Sequence, residues 1–192
     1  MQRRWLSALA ALVFAGPVAG CGYNTIQTLD VQADKAKSGI EVQLQRRADL
    51  VPNLVSTVKG YAQHEEAVFT QVAQARAGLA GAVQTHDVAK MADANQQLSQ
   101  GLGRLLAISE NYPQLKADQG FLRLQDELTG TENRIAVARK DYNEAAGEYN
   151  GYIRRFPQKL TASMTGAKAK DFFQVTTPGA NAVPTVDFSK PK

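Results

Sequence analysis

The chain has 192 residues, with 22 Lys and Arg against 18 Asp and Glu, for a formal net charge of +4. That length predicts one domain able to bury a real core. The modest charge, with no stretch interleaving basic and aromatic residues, excludes a nucleic-acid footprint, and a single cysteine excludes an internal disulfide and a multi-cysteine metal site.

Arg3 and Arg4 precede an apolar run from Trp5 to Gly16, interrupted by Ser7 and broken by Pro17. Val18-Ala19-Gly20-Cys21 follows. This is the layout of an export signal, and small residues ending at a cysteine resemble the lipobox of bacterial lipoproteins. On that reading residues 1–20 are removed and Cys21 is the lipidation site. Acylation also removes a free thiol that an oxidising compartment would attack. The run falls short of the about 20 apolar residues of a comfortable span, but with tilt and bilayer thinning it also reads as an uncleaved signal anchor. A soluble secreted product is a third reading. The first two place the chain in the cell envelope, membrane-anchored and extracytoplasmic, facing the periplasm from the outer or inner membrane. Gly22 after the cysteine, by resemblance to the Gram-negative sorting rule that retains some lipoproteins with Asp there, permits outer-membrane delivery. Cleavage removes two basic residues and no acidic ones, which lowers the charge by two.

The rest of the composition is rich in Ala, Gln, Glu, Lys, Leu and Arg, with no run of alternating β-branched residues. Helix formers without strand patterning predict an all-α fold. Residues 21–39 read as a membrane-proximal segment entering the first helix. Ile40, Leu44, Val51, Leu54, Val58, Tyr61, Val68 and Val72 then keep a three/four spacing toward Arg76, with Arg47 and Glu65 as polar interruptions. Pro52 lies inside this stripe and predicts a kink, or a break with little change of direction, because the phase continues across it. Gly78 to Thr85 reads as a Gly/Ala-rich connection, and Asp87 as the N-cap of the next helix. Val88, Met91, Leu98, Leu102, Leu105 and Tyr112 form that helix's apolar face, with Asn95 and Ser109 in the stripe and Pro113 ending it.

The best-defined element runs from about Asp118 to Phe156. Phe121, Leu124, Leu128, Thr131, Ile135, Ala138, Tyr142, Ala145, Tyr149, Tyr152 and Phe156 recur at steps of three and four. That heptad stripe predicts a long, coiled-coil-like helix, roughly 58 Å at 1.5 Å per residue. Pro157 stops it. Short connections imply antiparallel packing, with the two long helices extending as a rod beyond the bundle. The expected architecture is an antiparallel helical bundle over 40–157, followed by a C-terminal segment, 158–192, that is largely extended or disordered after a short amphipathic stretch.

The residues then become recognisable. Arg46-Arg47-Ala48-Asp49-Leu50-Val51-Pro52-Asn53-Leu54-Val55, Val58-Lys59-Gly60-Tyr61, His64-Glu65 and Glu110-Asn111-Tyr112-Pro113 resemble the LemA family. So do Gly130-Thr131-Glu132-Asn133-Arg134-Ile135, Asp141-Tyr142-Asn143-Glu144, Tyr149-Asn150 and Phe156-Pro157. The resemblance covers roughly residues 23–157 and implies an extracytoplasmic, membrane-attached helical bundle of no established biochemical activity, without catalytic residues to carry over. Two departures stand out. Typical members have an N-terminal transmembrane anchor, whereas this apolar run is shorter and ends at Cys21; and Thr165-Gly166-Ala167 stands where the family often has Phe-Gly-Phe. Val186-Asp187-Phe188 resembles the family's usual close.

His64, Glu65 and Glu66 lack the second histidine of a zinc-protease helix, since Val68 occupies its position. No serine lies in a nucleophile elbow, and the carboxylates Glu127, Glu132, Asp141 and Glu144 read as a solvated, salt-bridged face. No catalytic residue, metal ligand or cofactor is therefore expected. Asn133, Asn143, Tyr149, Asn150 and Tyr152 cluster along one edge of the last helix, either as core and register-setting groups or as an interaction surface. The expected partners are the membrane, through a lipid at Cys21 or a signal anchor, and unidentified envelope proteins; self-association is allowed and nucleic acid is not expected. The leading expectation is a non-enzymatic scaffold. The alternative is a sensor or accessory subunit that binds a peptide or envelope component between helices.

Overall fold

The computed structural model describes residues 22–174; Cys21 and Val186-Asp187-Phe188 lie outside them. Six helices follow in order: α1 (Tyr23–Lys59), α2 (Glu66–Gln84), α3 (Val88–Ser109), α4 (Pro113–Lys116), α5 (Gln119–Arg154) and α6 (Gln158–Thr165). No strand occurs among the described residues. The all-α antiparallel bundle is thus the observed architecture.

The two long helices run antiparallel along their whole length. Ile26 packs with Tyr149 and Ile153, Arg47 pairs with Glu132, and Tyr61 donates to Asp118. The shorter α2 and α3 form a hairpin against only part of this pair. The α2–α3 turn reaches Glu41, where His86 Nδ1 lies 2.9 Å from the carboxylate. Beyond that level α1 and α5 continue as a two-helix stalk. The molecule is therefore a four-helix head on a stalk about 27 Å long, taking residues 23–41 at 1.5 Å each.

The head's core is built from Ile40, Leu44, Leu54, Leu79, Met91, Leu98 and Leu105, all fully buried. Helices α2 and α3 cross closely at Gly101, where a Cβ would sit 3.3 Å from Val72 Cγ2. Asp87 caps α3, its Oδ1 accepting from the Lys90 N–H at 3.1 Å, and Asp118 caps α5 in the same way from Phe121 at 2.8 Å.

The structure corrects several of the sequence expectations. The stripe from Ile40 to Val72 is not one rod. The chain turns back over Gly60–Glu65, and α2 returns along α1. Tyr61 to Val68 happens to span seven residues, so the phase survives a reversal that the spacing cannot reveal. Gly78–Gln84 is helical rather than a connection; Leu79 and Ala82 face the core and offset the roughly 1 kcal/mol by which a glycine weakens a helix. At the end of α5, burial moves from Ala145 and Tyr152 to Ala146 and Ile153, and Phe156 is 82% exposed outside the helix. A strict 3.5-residue repeat drifts about 20° per heptad on a straight helix, which amounts to one residue over five heptads.

Pro52 does not end α1, which continues through it to Lys59. A proline lacks the N–H that would bond to the carbonyl four residues back. That carbonyl belongs to Ala48, and Arg76 Nε of α2 donates to it at 3.1 Å. The neighbouring helix supplies the donor that the proline lacks. Arg76→Ala should therefore lower stability in urea denaturation by about 1–2 kcal/mol. In a Pro52→Ala background, where the backbone donor is restored, the same change should have much less effect. Equal losses in both backgrounds would refute the substitution of one donor for the other.

Candidate functional site

The polar residues singled out on α5 meet the chain's own C-terminal segment. After α6, Gly166 adopts a left-handed conformation (φ 71°), and the Ala167 N–H bonds back to the Ala162 carbonyl at 2.9 Å. This left-handed helix stop needs no bulky side chain at position 166. Residues 167–174 then run extended along the stalk. Over the described residues the expected C-terminal segment is therefore helical at 158–165 and seated on α5 at 167–174, without the Phe-Gly-Phe element.

Two asparagines hold this strap. Asn150 Nδ2 donates to the Lys170 carbonyl, and Asn150 Oδ1 accepts from the Lys170 N–H, both at 2.8 Å. Asn143 does the same for Phe173, at 3.2 and 2.8 Å. Each side-chain amide thus mimics a neighbouring β-strand. The spacing explains the fit: seven residues on a helix rise about 10.5 Å, and three residues of extended chain span about 10 Å. Tyr142 adds a bond from its hydroxyl to the Asp171 carbonyl at 2.7 Å.

Side chains then select the register. The Lys170 ammonium lies 2.8 Å from both Asp30 and Asp34 of α1, and 5.3 Å above the Tyr149 ring. Burial lowers this group's pKa, but the hydrogen bonds and charges of Asp30 and Asp34 together outweigh that effect and hold it above the ordinary lysine value. The Phe173 ring is 2% exposed and joins the main core, with the Arg139 guanidinium 6.0 Å from its centre. Burial also raises the Tyr142 and Tyr149 hydroxyls above the usual tyrosine range.

Asn143, Tyr149 and Asn150 are therefore brought together, with the half-buried Tyr152 packed against the same cluster of Ile26, Tyr149, Ile153 and Ala162. Asn133 is not part of this group. It is exposed and lines a shallow groove with Gly39, Gln43, Arg134, Val137 and Asp141. While the strap is seated, Asn143 and Asn150 face their own chain.

A second polar constellation lies in the head. Arg47 of α1 is 5% exposed, and its Nη1 lies 2.5 Å from both Asn95 Oδ1 of α3 and Glu132 Oε2 of α5. Burial lowers the guanidinium's pKa, and Glu132 acts against that shift. Its Nε is buried with no hydrogen-bond partner. One guanidinium therefore ties three helices together. The signal was present in the sequence as polar residues interrupting two apolar stripes at positions 47 and 95. Lys170, Asp30, Asp34 and Phe173 had no comparable signal, because their meeting depends on where the tail returns.

His64 and His86 sit at opposite ends of α2, His64 in the turn before it and His86 just after it. Among the described residues no three His, Cys, Asp or Glu side chains are grouped to hold a metal.

Comparison with known proteins places this geometry in context. The family model described as LemA family matches residues 36–188. The chain belongs to the LemA family. Within it, the chain is 28% identical to the magnetosome proteins MamQ 1 and MamQ 2 of Paramagnetospirillum magneticum, over 94% of this chain and 74% of each relative. It is 28% identical to magnetosome protein MamQ of Magnetospirillum gryphiswaldense, over 85% of this chain and 68% of the relative. It is 26% identical to protein LemA of Metamycoplasma hominis, over 65% of this chain and 56% of that protein. The LemA match extends through the strap, so the tail that closes over α5 lies within the family region.

Proposed function

We propose that this LemA-family protein is a membrane-attached, extracytoplasmic scaffold that acts by binding other envelope proteins and not by turnover. The observation that carries the reading is the head-on-stalk shape. The described chain begins at the free end of the stalk, one residue after Cys21, while the head stands at the other end. An attachment at residue 21, or through the apolar run before it, holds the head away from the bilayer. The likeness to MamQ, named for the magnetosome, supports a place on a subcellular structure.

A second reading has its own observation. Helix α5 already holds an extended peptide through backbone-reading asparagines. An envelope sensor or accessory subunit that captures a partner's segment would use the same chemistry.

Intact mass of membrane-extracted protein tests the attachment. Loss of the first twenty residues with added acyl chains, abolished by Cys21→Ala, is the expected result. Recovery of a mature protein free of lipid and absent from membranes would overturn it. In-cell photocrosslinking scanned over exposed head positions tests the scaffold. Partners should recur at neighbouring positions of one face. A reproducible catalytic turnover by the purified chain would displace the scaffold reading.

A further inference from the structure

The stalk ends in an apolar face that no described residue covers. Helix α6 buries Ala162 against the foot of the stalk. Leu160 and Met164 lie on the opposite side, 58% and 82% exposed, and Phe156 just before the helix is 82% exposed. Isolated exposed apolar side chains are ordinary, but Leu160 and Met164 stand one turn apart on the same side of one short helix, with Phe156 exposed in the turn that leads into it.

The charges around it have one sign. Between Glu148 and Asp171 the sequence holds five basic residues and no acidic one. Lys170 is taken up by Asp30 and Asp34. Arg154, Arg155, Lys159 and Lys168 are all exposed, and no ion pair engages them among the described residues. The α1 segment beside them, residues 22–29, is uncharged.

The patch also sits where the chain leaves the described structure. A Cβ on Gly22 would lie 3.3 Å from Gln158 Cγ of α6 and 3.8 Å from the Tyr152 hydroxyl. One residue further is Cys21, preceded by the apolar run from Trp5. A lipid on Cys21 brings the bilayer within one residue of Gly22, a reach of about 4 Å, and an anchor formed by the run that ends at Gly16 brings it within six residues, at most roughly 20 Å of extended chain.

We infer that the outward face of α6, with Phe156, Leu160 and Met164, rests in the interface of an anionic bilayer. Arg154, Arg155, Lys159 and Lys168 meet lipid phosphates there. Apolar side chains on one face with Lys and Arg beside them are the composition of an interfacial helix. Basic side chains near an anionic surface add attraction that salt screens. The foot then sets the tilt of the stalk, which a single point of attachment leaves free. This inference rests on the membrane attachment proposed above.

The test uses the full chain in vesicles of phosphatidylethanolamine and phosphatidylglycerol. Trp5 is the only tryptophan. In a Trp5→Phe background, Met164→Trp places a single reporter on the foot and Val42→Trp places one on the head, where Val42 is 62% exposed. Flotation with the vesicles reports attachment independently. In floating protein, emission from position 164 should shift to the blue and lose most of its intensity to acyl-brominated lipids, while position 42 stays quenchable by aqueous iodide. Changing Arg154, Arg155, Lys159 and Lys168 together to Gln should return the emission toward that of a water-exposed indole. A chain that floats while position 164 remains open to iodide would overturn the foot but leave the attachment standing. A chain that fails to float would remove both. Shielding of position 164 without quenching by brominated lipid, together with the mass of a dimer, would assign the face to a second copy and overturn the bilayer contact.

Discussion

Asn95→Leu should destabilise the head by about 2–3 kcal/mol in chemical denaturation, and adding Arg47→Met in the same chain should recover most of that loss. The single change removes a neutral acceptor from a guanidinium that stays buried, at 5% exposure, with its Nε already lacking a partner. Glu132 alone then faces the charge, and its side chain is about half exposed to water. Replacing the arginine as well removes the group that needed solvation and fills its place with a side chain of similar reach. Apolar substitution of a buried ionic cluster is commonly neutral or stabilising, whereas removal of one member is harmful. Losses that simply add across the two positions would show that Arg47 and Asn95 do not act as a pair.

The second large effect is expected at the strap. Asn143→Ala with Asn150→Ala deletes four hydrogen bonds to the main chain, worth about 1 kcal/mol each net. The strap's opening free energy should fall by about 3–4 kcal/mol. Hydrogen exchange at the Lys170 and Phe173 amides should lose its protection, and trypsin should cut after Lys168 and Lys170 far faster, while α2 and α3 amides exchange as before. Alkaline pH should act on the same contact. Lys170 is held above its ordinary value, so the stabilisation is fully present below the unfolded lysine value of about 10.4 and is lost as pH rises through the higher folded value. Phe173 ring resonances moving to solvent-like positions in that window, and not below it, would confirm the sign. Unchanged protection in the double variant would mean that the ring and the ammonium seat the strap without the amides.

The legible parts of this fold were those where one periodic signal decides the structure. Helix α5 could be placed because its apolar spacing and Pro157 agree, although the buried face moves by one residue near its C-terminal end. Helix α1 was harder. Whether Pro52 breaks a helix depends on Arg76, which is 24 residues away in sequence and adjacent in space. The turn after Lys59 was hidden for the opposite reason, since the spacing stays periodic while the direction reverses. Asn143 and Asn150 stood out as polar residues beside an aromatic tract, but their partners did not. A side-chain amide that reads peptide backbone leaves no complementary letter in the sequence it binds.

That last property constrains how such a protein can diverge. Ala169, Asp171 and Gln174 of the strap are exposed, so their side chains can be replaced freely as long as Ala167, Lys170, Phe172 and Phe173 keep their contacts with the stalk. Insertions are another matter. One residue added between Asn143 and Asn150 would rotate one amide about 100° away from its strand. One residue added between Lys170 and Phe173 would shift the chain by about 3.3 Å and turn the ring to the opposite face. Related chains that keep this closure should therefore tolerate wide substitution here but conserve the two intervals, seven residues on the helix and three on the strap, and a relative that alters one interval should have lost the seat altogether.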